Sequence, residues 1–194
     1  MTKSKNKISQ LLKKQKVSEE IIKSFSLIDR SQFFDNSLNI DFDENIKIPI
    51  GIGQYCEEPL LLARIIELAE LSKEHKILEV GTGCGYSTAI LSTLVKEVIT
   101  IEYEEKLAKS AKIRLQNAQI ENVRLFAGDA SVVSEELDTF DRIIIFAACQ
   151  MTPVAILNAL KEESIAIFPL GPVHQQQLCK YTYTVQENEQ DVKY

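Results

Sequence analysis

Histidine and tryptophan are scarce in this chain of 194 residues, which has two histidines and no tryptophan. Two histidines leave little scope for a histidine-based metal site, so we predict that the protein binds no metal. The four cysteines, Cys56, Cys84, Cys149 and Cys179, are widely spaced and include no C-x-x-C pair. We therefore expect reduced, individually packed thiols, and neither a disulfide framework nor a zinc site.

Long apolar runs and an excess of positive charge are also absent. No apolar run approaches the ~20 residues of a membrane span, and the first residues lack the apolar core of a signal peptide. The net charge of −6 and the pI of 5.1 argue against a general nucleic-acid binder, which needs a basic face. These absences predict a cytoplasmic protein with no membrane partner and no nucleic-acid partner. Apolar residues make up 45% of the chain, enough for a full core.

A glycine-rich turn between a strand and a helix is the most informative feature of the sequence. The apolar run at residues 77–80 predicts a short buried strand, and it is followed by Gly81, Gly83 and Gly85. Alternating glycines let the backbone approach a ligand where a Cβ atom would collide. Their G-x-G-x-G spacing differs from the G-x-G-x-x-G of dinucleotide-binding folds.

Two acids follow later strands and complete this pattern. Glu102 ends the next predicted strand, where a carboxylate can accept two hydrogen bonds from a ribose diol. Asp129 follows Gly128 after a third strand and could accept a hydrogen bond from an adenine amino group. Two simpler interpretations are that Glu102 is a surface acid and that Asp129 caps a helix beginning near Ser131. A nucleoside-containing cofactor accounts for the whole pattern better.

Strands and helices alternate through most of the chain. The predicted elements are strand 77–80, helix 87–95, strand 98–102, helix 104–116, strand 122–126, strand 140–146, helix 153–160 and strand 164–168. This alternation predicts an α/β, Rossmann-like fold with a doubly wound, mainly parallel sheet and helices on both faces. Residues 178–185 alternate apolar and polar side chains, which is typical of an antiparallel strand with one exposed face.

We predict a single domain over residues 1–194, in three parts. Residues 1–45 form an N-terminal helical cap that includes a helix starting after Ser18, the predicted N-cap. Residues 46–185 form the cofactor-binding core, which begins with an apolar loop at 48–54 and a helix from Pro59 to about Leu71. Residues 186–194 form a loose tail.

The chain resembles class I S-adenosylmethionine-dependent methyltransferases in its segment Glu79–Gly85, in Glu102 and in the Gly128-Asp129 pair. It is more closely similar to the protein-L-isoaspartate O-methyltransferase family, which has a proline–glycine–glutamine loop before the glycine motif. Pro49–Gln54 matches that loop, and the similarity extends from about residue 10 to residue 185.

This resemblance implies that the cofactor is S-adenosyl-L-methionine and that the substrate is a peptide or protein carboxylate, in a protein-repair reaction. It implies that the cofactor is bound by a set of residues on the strand ends: Glu79, Gly81, Thr82, Gly83, Gly85, Glu102, Gly128 and Asp129. Methyl transfer from a sulfonium to a carboxylate needs alignment and desolvation more than proton transfer, so the scarcity of histidine is no obstacle.

The substrate loop departs from the family pattern. After the glutamine the family usually has Thr-Ile-Ser, whereas this chain has Tyr55-Cys56-Glu57. By position, Gln54 and Glu57 are the candidate catalytic residues, but Glu57 would place a negative charge near an anionic substrate. The alternative is that Glu57 only favours the N-terminus of the helix beginning at Pro59.

Three functions are consistent with these features. The leading one is a methyltransferase that acts on a peptide or protein carboxylate. The second is a relative that binds S-adenosylmethionine but has an altered substrate or no turnover, and serves as a binding module. The third, a nicotinamide-dependent oxidoreductase, conflicts with the glycine spacing and lacks a second domain for its substrate.

Overall fold

The computed structural model describes residues 7–35, 37–133, 138–172, 175–184 and 192–193. The strands are β1 (Ile48–Gly51), β2 (Gln54–Cys56), β3 (Lys76–Val80), β4 (Glu97–Glu102), β5 (Val123–Ala127), β6 (Phe140–Ile145), β7 (Leu160–Leu170), β8 (Gln177–Tyr183) and β9 (Val192–Lys193). The helices are α1 (Lys7–Lys14), α2 (Glu19–Leu27), α3 (Pro59–Ala69), α4 (Tyr86–Ser92), α5 (Glu105–Asn117), α6 (Ala130–Val133) and α7 (Val154–Leu157), with a 3-10 helix at Arg30–Phe33.

Seven strands form one sheet in the order β5-β4-β3-β6-β7-β8-β9. The five strands from β5 to β7 in that order pair in parallel, and β8 and β9 are antiparallel to their neighbours. β6 is buried on both sides because its isoleucines, Ile143, Ile144 and Ile145, are at most 2% exposed. The predicted Rossmann-like fold with a mainly parallel sheet is confirmed.

Apolar cores lie on both faces of the sheet. The larger core packs the N-terminal helices, α3 and α4 against the side of the sheet that carries Ile77, Val98 and Ile144. The smaller core packs α6 and α7 against the opposite side, which carries Leu78 and Ile99. The strand period of two explains this division, since neighbouring residues point to opposite faces.

The N-terminal cap is attached to the core by long-range polar contacts. The Asp43 carboxylate accepts a hydrogen bond from the backbone N–H of Lys7 at 2.8 Å, and so binds the start of α1. The buried Arg30 guanidinium donates to four backbone carbonyls, those of Phe42, Glu44, Ile46 and Glu57. Arg30 therefore holds the connection from the cap together with the residue that follows β2.

Three local predictions were wrong. The apolar loop at 48–54 is the start of an antiparallel hairpin, β1–β2, whose turn contains Gly51 and Gly53 with positive φ. The helix at 153–160 is shorter, because Leu160 already pairs with Phe140 in the sheet. The predicted fifth strand, 164–168, extends over the preceding segment, where the register shifts. Ser18 is the N-cap residue of α2, as predicted, although its side chain makes no capping hydrogen bond.

Residues 186–194 are predicted to form a loose tail. Of these residues the structure describes Val192–Lys193, which pair with β8. The rest of 186–194 lies outside the described residues. Within those residues no helix is long and apolar enough to cross a membrane.

Candidate active site

An open cleft of about 210 Å³ lies at the carboxyl ends of four neighbouring parallel strands, β5, β4, β3 and β6. One residue immediately after each strand lines it: Gly81 after β3, Tyr103 after β4, Gly128 after β5 and Phe146 after β6. This is the edge at which open α/β sheets bind their ligands. A cleft is therefore present at the strand ends that carry the glycine motif and Glu102.

The Glu102 carboxylate lines the cleft and is held in a fixed orientation. One of its oxygens accepts the Gly83 N–H at 2.7 Å, and the other accepts the Glu104 N–H at 3.0 Å. A carboxylate has about four lone-pair positions, so these two bonds leave capacity for the two hydroxyls of a ribose. Its side chain is only 6% exposed, which excludes the alternative of a surface acid.

The three glycines of the motif have different surroundings, although all have positive φ. Gly81 and Gly83 line the cleft, and a Cβ atom on Gly83 would lie 3.1 Å from the Ile50 side chain of the hairpin. Gly85 instead faces the packed side chains of Leu115 and Phe33, and it stands at the N-cap of α4. Gly85 thus allows close packing of the helix.

Glu79 lies beneath the glycine loop and is fully buried. Its carboxylate accepts hydrogen bonds from the hydroxyls of Ser87 at 2.6 Å, Thr100 at 2.7 Å and Thr88. Because Thr100 gives its only hydroxyl proton to Glu79, the 2.6 Å bond between the two threonines is donated by Thr82. Burial raises the pKa of Glu79 to about 7, against the opposing effect of these donors. Glu79 and Thr82, both predicted to contact the cofactor, are buried and form hydrogen bonds that support the glycine loop from beneath.

Asp129 is exposed and accepts hydrogen bonds from the Ser131 N–H at 2.9 Å and the Ser131 hydroxyl at 2.7 Å. These bonds lower the pKa of the Asp129 carboxyl. The geometry is that of the helix-cap alternative, at the start of α6. Gly128 and Ala130 line the cleft on either side of Asp129.

A second, smaller cavity of about 60 Å³ adjoins the cleft. The two share part of their walls, including Ile50, Tyr55 and Gly83. The smaller cavity is also lined by Cys56 and Glu57 of the divergent substrate loop. The β1–β2 hairpin therefore lines both the cleft and the smaller cavity.

The two candidate catalytic residues take different positions. Gln54 is exposed and lines the cleft, whereas Glu57 lines the smaller cavity. The Glu57 carboxylate forms an ion pair with Lys47, at 3.0 Å between Nζ and Oε2. No sequence motif marked Lys47, although its place one residue before β1 puts it opposite Glu57 in a hairpin of this register.

The cysteines Cys56 and Cys84 both line the smaller cavity. The Cys56 thiol donates to the backbone carbonyl of Glu57, with 3.7 Å between the sulfur and the oxygen. All four cysteines are free thiols.

The histidines contribute nothing to the described site. His75 precedes β3, at the opposite end of the sheet from the cleft, and its Nδ1 accepts the Ser72 N–H. His174 lies outside the described residues. Among the described residues, no three histidine, cysteine, aspartate or glutamate side chains are grouped closely enough to hold a metal ion.

Comparison with known proteins matches nearly the whole chain to one family. Residues 2–194 match the family model described as protein-L-isoaspartate(D-aspartate) O-methyltransferase. The chain is 36% identical over 159 residues to the protein-L-isoaspartate O-methyltransferase of Klebsiella pneumoniae (strain 342), covering 82% of this chain and 76% of that protein.

Solved structures show the same fold. A protein-L-isoaspartate O-methyltransferase superposes with a TM-score of 0.84 at 27% identity, over 93% of this chain and 60% of the other. A β-aspartate methyltransferase (PCMT) from Plasmodium falciparum, solved in complex with S-adenosyl-L-homocysteine, superposes with a TM-score of 0.80 at 18% identity. That match covers 94% of this chain and 91% of the other. This chain thus spans less than two thirds of the first of these two structures.

Proposed function

Because this chain belongs to the protein-L-isoaspartate O-methyltransferase family, we propose that it methylates the carboxylate of isoaspartyl residues in peptides or proteins. Family membership confirms the predicted enzyme class, an S-adenosylmethionine-dependent protein carboxyl methyltransferase, and the predicted cofactor. A cytoplasmic location and a role in protein repair are part of the proposal. The absence of a nucleic-acid partner stays a prediction from composition.

The observation that carries the proposal is the junction of two cavities at the β1–β2 hairpin. Methyl transfer requires the sulfonium and the acceptor oxygen to meet in line, with water excluded. The larger cleft is lined by the glycine loop and by the Glu102 carboxylate, which suit a nucleoside. The smaller cavity adjoins the cleft at Gly83 and Ile50. A carboxylate held in the smaller cavity would face a ligand of the cleft.

The residues of the cleft fit S-adenosylmethionine. Glu102 keeps two acceptor positions for a ribose diol, and Gly81 and Gly83 present no side chain to the ligand. When bound, the cofactor supplies an activated methyl group on a sulfonium. The chain's own part is to orient the ribose through Glu102 and to cover the reacting atoms with the hairpin.

Electrostatics at the smaller cavity determines whether an anionic substrate can enter. Two unit negative charges 4 Å apart repel by ~4 kcal/mol at an effective dielectric of about 20, an illustrative bound. Lys47 offsets the Glu57 charge, since their ion pair is formed in the hairpin itself. The Tyr55-Cys56-Glu57 replacement is therefore compatible with a carboxylate substrate.

Methyl incorporation from labelled S-adenosylmethionine tests the proposal. We expect the intact chain to methylate an isoaspartyl peptide and to leave the matched aspartyl peptide unlabelled. The label should be released by mild base, as expected for a methyl ester. Binding of S-adenosylhomocysteine without any methylation of the isoaspartyl peptide would contradict the proposal.

A second candidate function, S-adenosylmethionine binding with an altered substrate or no turnover, rests on the side chains at the smaller cavity. Tyr55 is 59% exposed there, and Glu57 adds a carboxylate, where the family usually has hydroxyl residues. Under this alternative, the Tyr55→Thr/Glu57→Ser variant would methylate an isoaspartyl peptide well above the parent. No gain from an already efficient parent would remove the alternative.

A further inference from the structure

We propose that the Ser87 hydroxyl binds the acceptor carboxylate of the substrate in the smaller cavity, and that Glu79 takes up a proton when this contact forms. The identity of the bound group rests on the proposed function. The link between Ser87 and Glu79 does not, because their side chains share a hydrogen bond.

Ser87 is placed to reach both groups. It is the second residue of α4, it is partly buried, and it lines the smaller cavity. Its hydroxyl donates to the Oε1 atom of Glu79 at 2.6 Å. The next residue, Thr88, also donates to Glu79, but it is fully buried and lies outside the lining of the cavity. Ser87 thus connects the buried carboxylate directly to the smaller cavity.

The single proton of the Ser87 hydroxyl cannot serve both groups. A serine hydroxyl has one proton to donate and two lone pairs that accept. While Glu79 is ionised, Oε1 receives that proton, and Ser87 presents only lone pairs to the cavity. Lone pairs repel a carboxylate. An anionic substrate can therefore bind to Ser87 only after Glu79 has given up the serine proton.

A proton on Oε1 of Glu79 frees the Ser87 hydroxyl with the fewest changes. Among the described residues, Oε1 has one hydrogen-bond partner, Ser87, whereas Oε2 accepts from Thr88 and Thr100. Once protonated, Oε1 donates to the Ser87 oxygen, and both bonds of Oε2 stay in place. Ser87 then turns its own proton towards the cavity. Glu79 gains one proton from the solvent, and Ser87 keeps the proton that it had.

The surroundings of Glu79 favour this proton. Burial raises the pKa of Glu79 to about 7, and the negative charge of Glu102 adds to the rise. Its register partners on the neighbouring strands, Thr100 of β4 and Ile144 of β6, carry no charge. A substrate carboxylate at Ser87 adds a further negative charge nearby, which raises the pKa of Glu79 again. The proton is therefore taken up as the substrate binds.

Four other titratable side chains line the smaller cavity: Tyr55, Cys56, Glu57 and Cys84. Glu57 forms an ion pair with Lys47, and burial raises the pKa of the Cys84 thiol. These groups can also exchange protons when a ligand enters. A variant of Glu79 itself is therefore needed to identify the source of any proton taken up.

Calorimetry of peptide binding tests the proposal in the intact chain. The probe is an isoaspartyl peptide without histidine and with blocked ends, added in the presence of S-adenosylhomocysteine so that no turnover occurs. Titrations in buffers of different ionisation enthalpy give the number of protons taken up. We expect about one proton per peptide at about pH 8 and almost none at about pH 6, where Glu79 is already protonated. The Kd should rise about tenfold from pH 6 to pH 8.

Three variants locate the effect. Glu79→Gln has no proton to take up, and its amide can donate to Ser87, so the Kd should be equal at the two pH values. Ser87→Ala should raise the Kd at about pH 6 by at least about tenfold, the lower range for a hydrogen bond to a charged group. Thr88→Val is the matched control, because it also removes a hydroxyl donor of Glu79 but no group of the cavity. It should not weaken binding.

Three results would overturn the proposal: no proton uptake by the parent, uptake that persists in Glu79→Gln, or equal losses of affinity in Ser87→Ala and Thr88→Val. The first measurement needs no variant. Methyl incorporation into the same peptide separates this proposal from the proposed function. A peptide that is methylated but binds without proton uptake contradicts only the role of Ser87 and Glu79. A peptide that binds with proton uptake but is never methylated supports that role and contradicts only the proposed function. Absence of both binding and methylation contradicts both.

Discussion

The glycine loop and the hairpin that faces it are held in place by different kinds of interaction. The loop is fixed by residues of its own strand–turn–helix unit and the next strand, through the hydroxyls around Glu79 and the bond from Gly83 to Glu102. The hairpin is held by a residue that is distant in sequence. The Arg30 side chain donates a hydrogen bond to the carbonyl of Glu57, next to the hairpin, and another to the carbonyl of Glu44 in the cap segment.

We call the glycine loop the cofactor half of the site and the hairpin its substrate half. The difference in their supports shows why the sequence of one half can change without the other. A change in the loop disturbs the cofactor site directly, because the supporting bonds are local to the motif. The hairpin side chains can change while Arg30 still holds the backbone, since it binds the carbonyl of Glu57 and not its carboxylate. The unusual Tyr55-Cys56-Glu57 segment is thus compatible with an intact cofactor cleft.

The largest expected effect is that of Gly83→Val on the cofactor half. Gly83 has φ +56, which a β-branched residue rarely adopts, and its Cβ would crowd Ile50 at the boundary of the cleft. Backbone strain lowers folding stability, and the added side chain also overpacks the boundary of the cleft. The affinity for S-adenosylhomocysteine, measured by calorimetry, should therefore fall by about 3 kcal/mol, the upper end of the cost of overpacking.

Gly51→Val is the matched control in the hairpin. Gly51 also has positive φ, but a Cβ there meets no atom within 4 Å. This variant should lose stability and keep cofactor affinity. An equal loss of affinity in both variants would show that the two halves are not independent.

Glu79→Gln should change the pH dependence of stability. Because burial raises the pKa of Glu79 to about 7, the folded state binds its proton more tightly than the unfolded state does. The stabilisation is fully present below the ordinary pKa of 4.5 and is lost as the pH rises through about 7. The parent should lose up to about 3 kcal/mol over this window, at about 1.4 kcal/mol per pKa unit.

Urea unfolding at about pH 4.5 and about pH 8 measures this loss. Glu79→Gln should be flatter than the parent over that range, and Glu105→Gln, which changes an exposed acid of α5, should follow the parent. If the unfolding free energies of Glu79→Gln and the parent change with pH in parallel, Glu79 does not take up or release a proton on unfolding in this window.

Glu102→Ala should weaken S-adenosylhomocysteine binding by ~1.5–3 kcal/mol, the range for hydrogen bonds to a charged group. Asp129→Ala is its counterpart on the neighbouring strand, where the carboxylate caps α6. That variant should lose about 1 kcal/mol of folding stability and keep its cofactor affinity. Unchanged affinity in folded Glu102→Ala, or a matching loss in Asp129→Ala, would reverse these assignments.

Lys47→Ala should have the smallest effect, and only on the substrate half. Exposed ion pairs contribute about 0.2–1 kcal/mol, so KM for an isoaspartyl peptide should rise by about two- to fivefold. The reason is that Glu57 then faces the substrate without its partner. Lys47→Ala/Glu57→Gln should restore KM, and high salt should reduce the difference between Lys47→Ala and the parent.

Cofactor affinity should not respond to these two variants. If Lys47→Ala leaves KM unchanged at low salt, the ion pair is only a contact at the hairpin base. A fall in cofactor affinity would contradict the separation of the two halves.

Individual elements show how far the sequence could predict the fold. The buried residues of α5, Leu107, Ala108, Ala111 and Leu115, are those that its 3.6-residue spacing predicts. The hairpin was missed because its first strand contains Pro49 and Gly51 and its turn contains Gly53, residues that locally favour a loop. The extent of β7 was missed because its polar first half has no strand pattern, and pairing with β6 and β8 decides its length.

The sequence by itself determined the strand, the glycine turn and the acid at the tip of the next strand, because each depends on neighbouring residues and on rules of local geometry. Only the tertiary structure decided which acids face the cleft. Glu102 lines it, Glu79 is buried beneath the loop, and Asp129 caps α6. The same holds for the placing of Cys56 and Cys84 at one cavity. Such assignments depend on side chains that the fold brings together from distant positions, and no local pattern encodes that proximity.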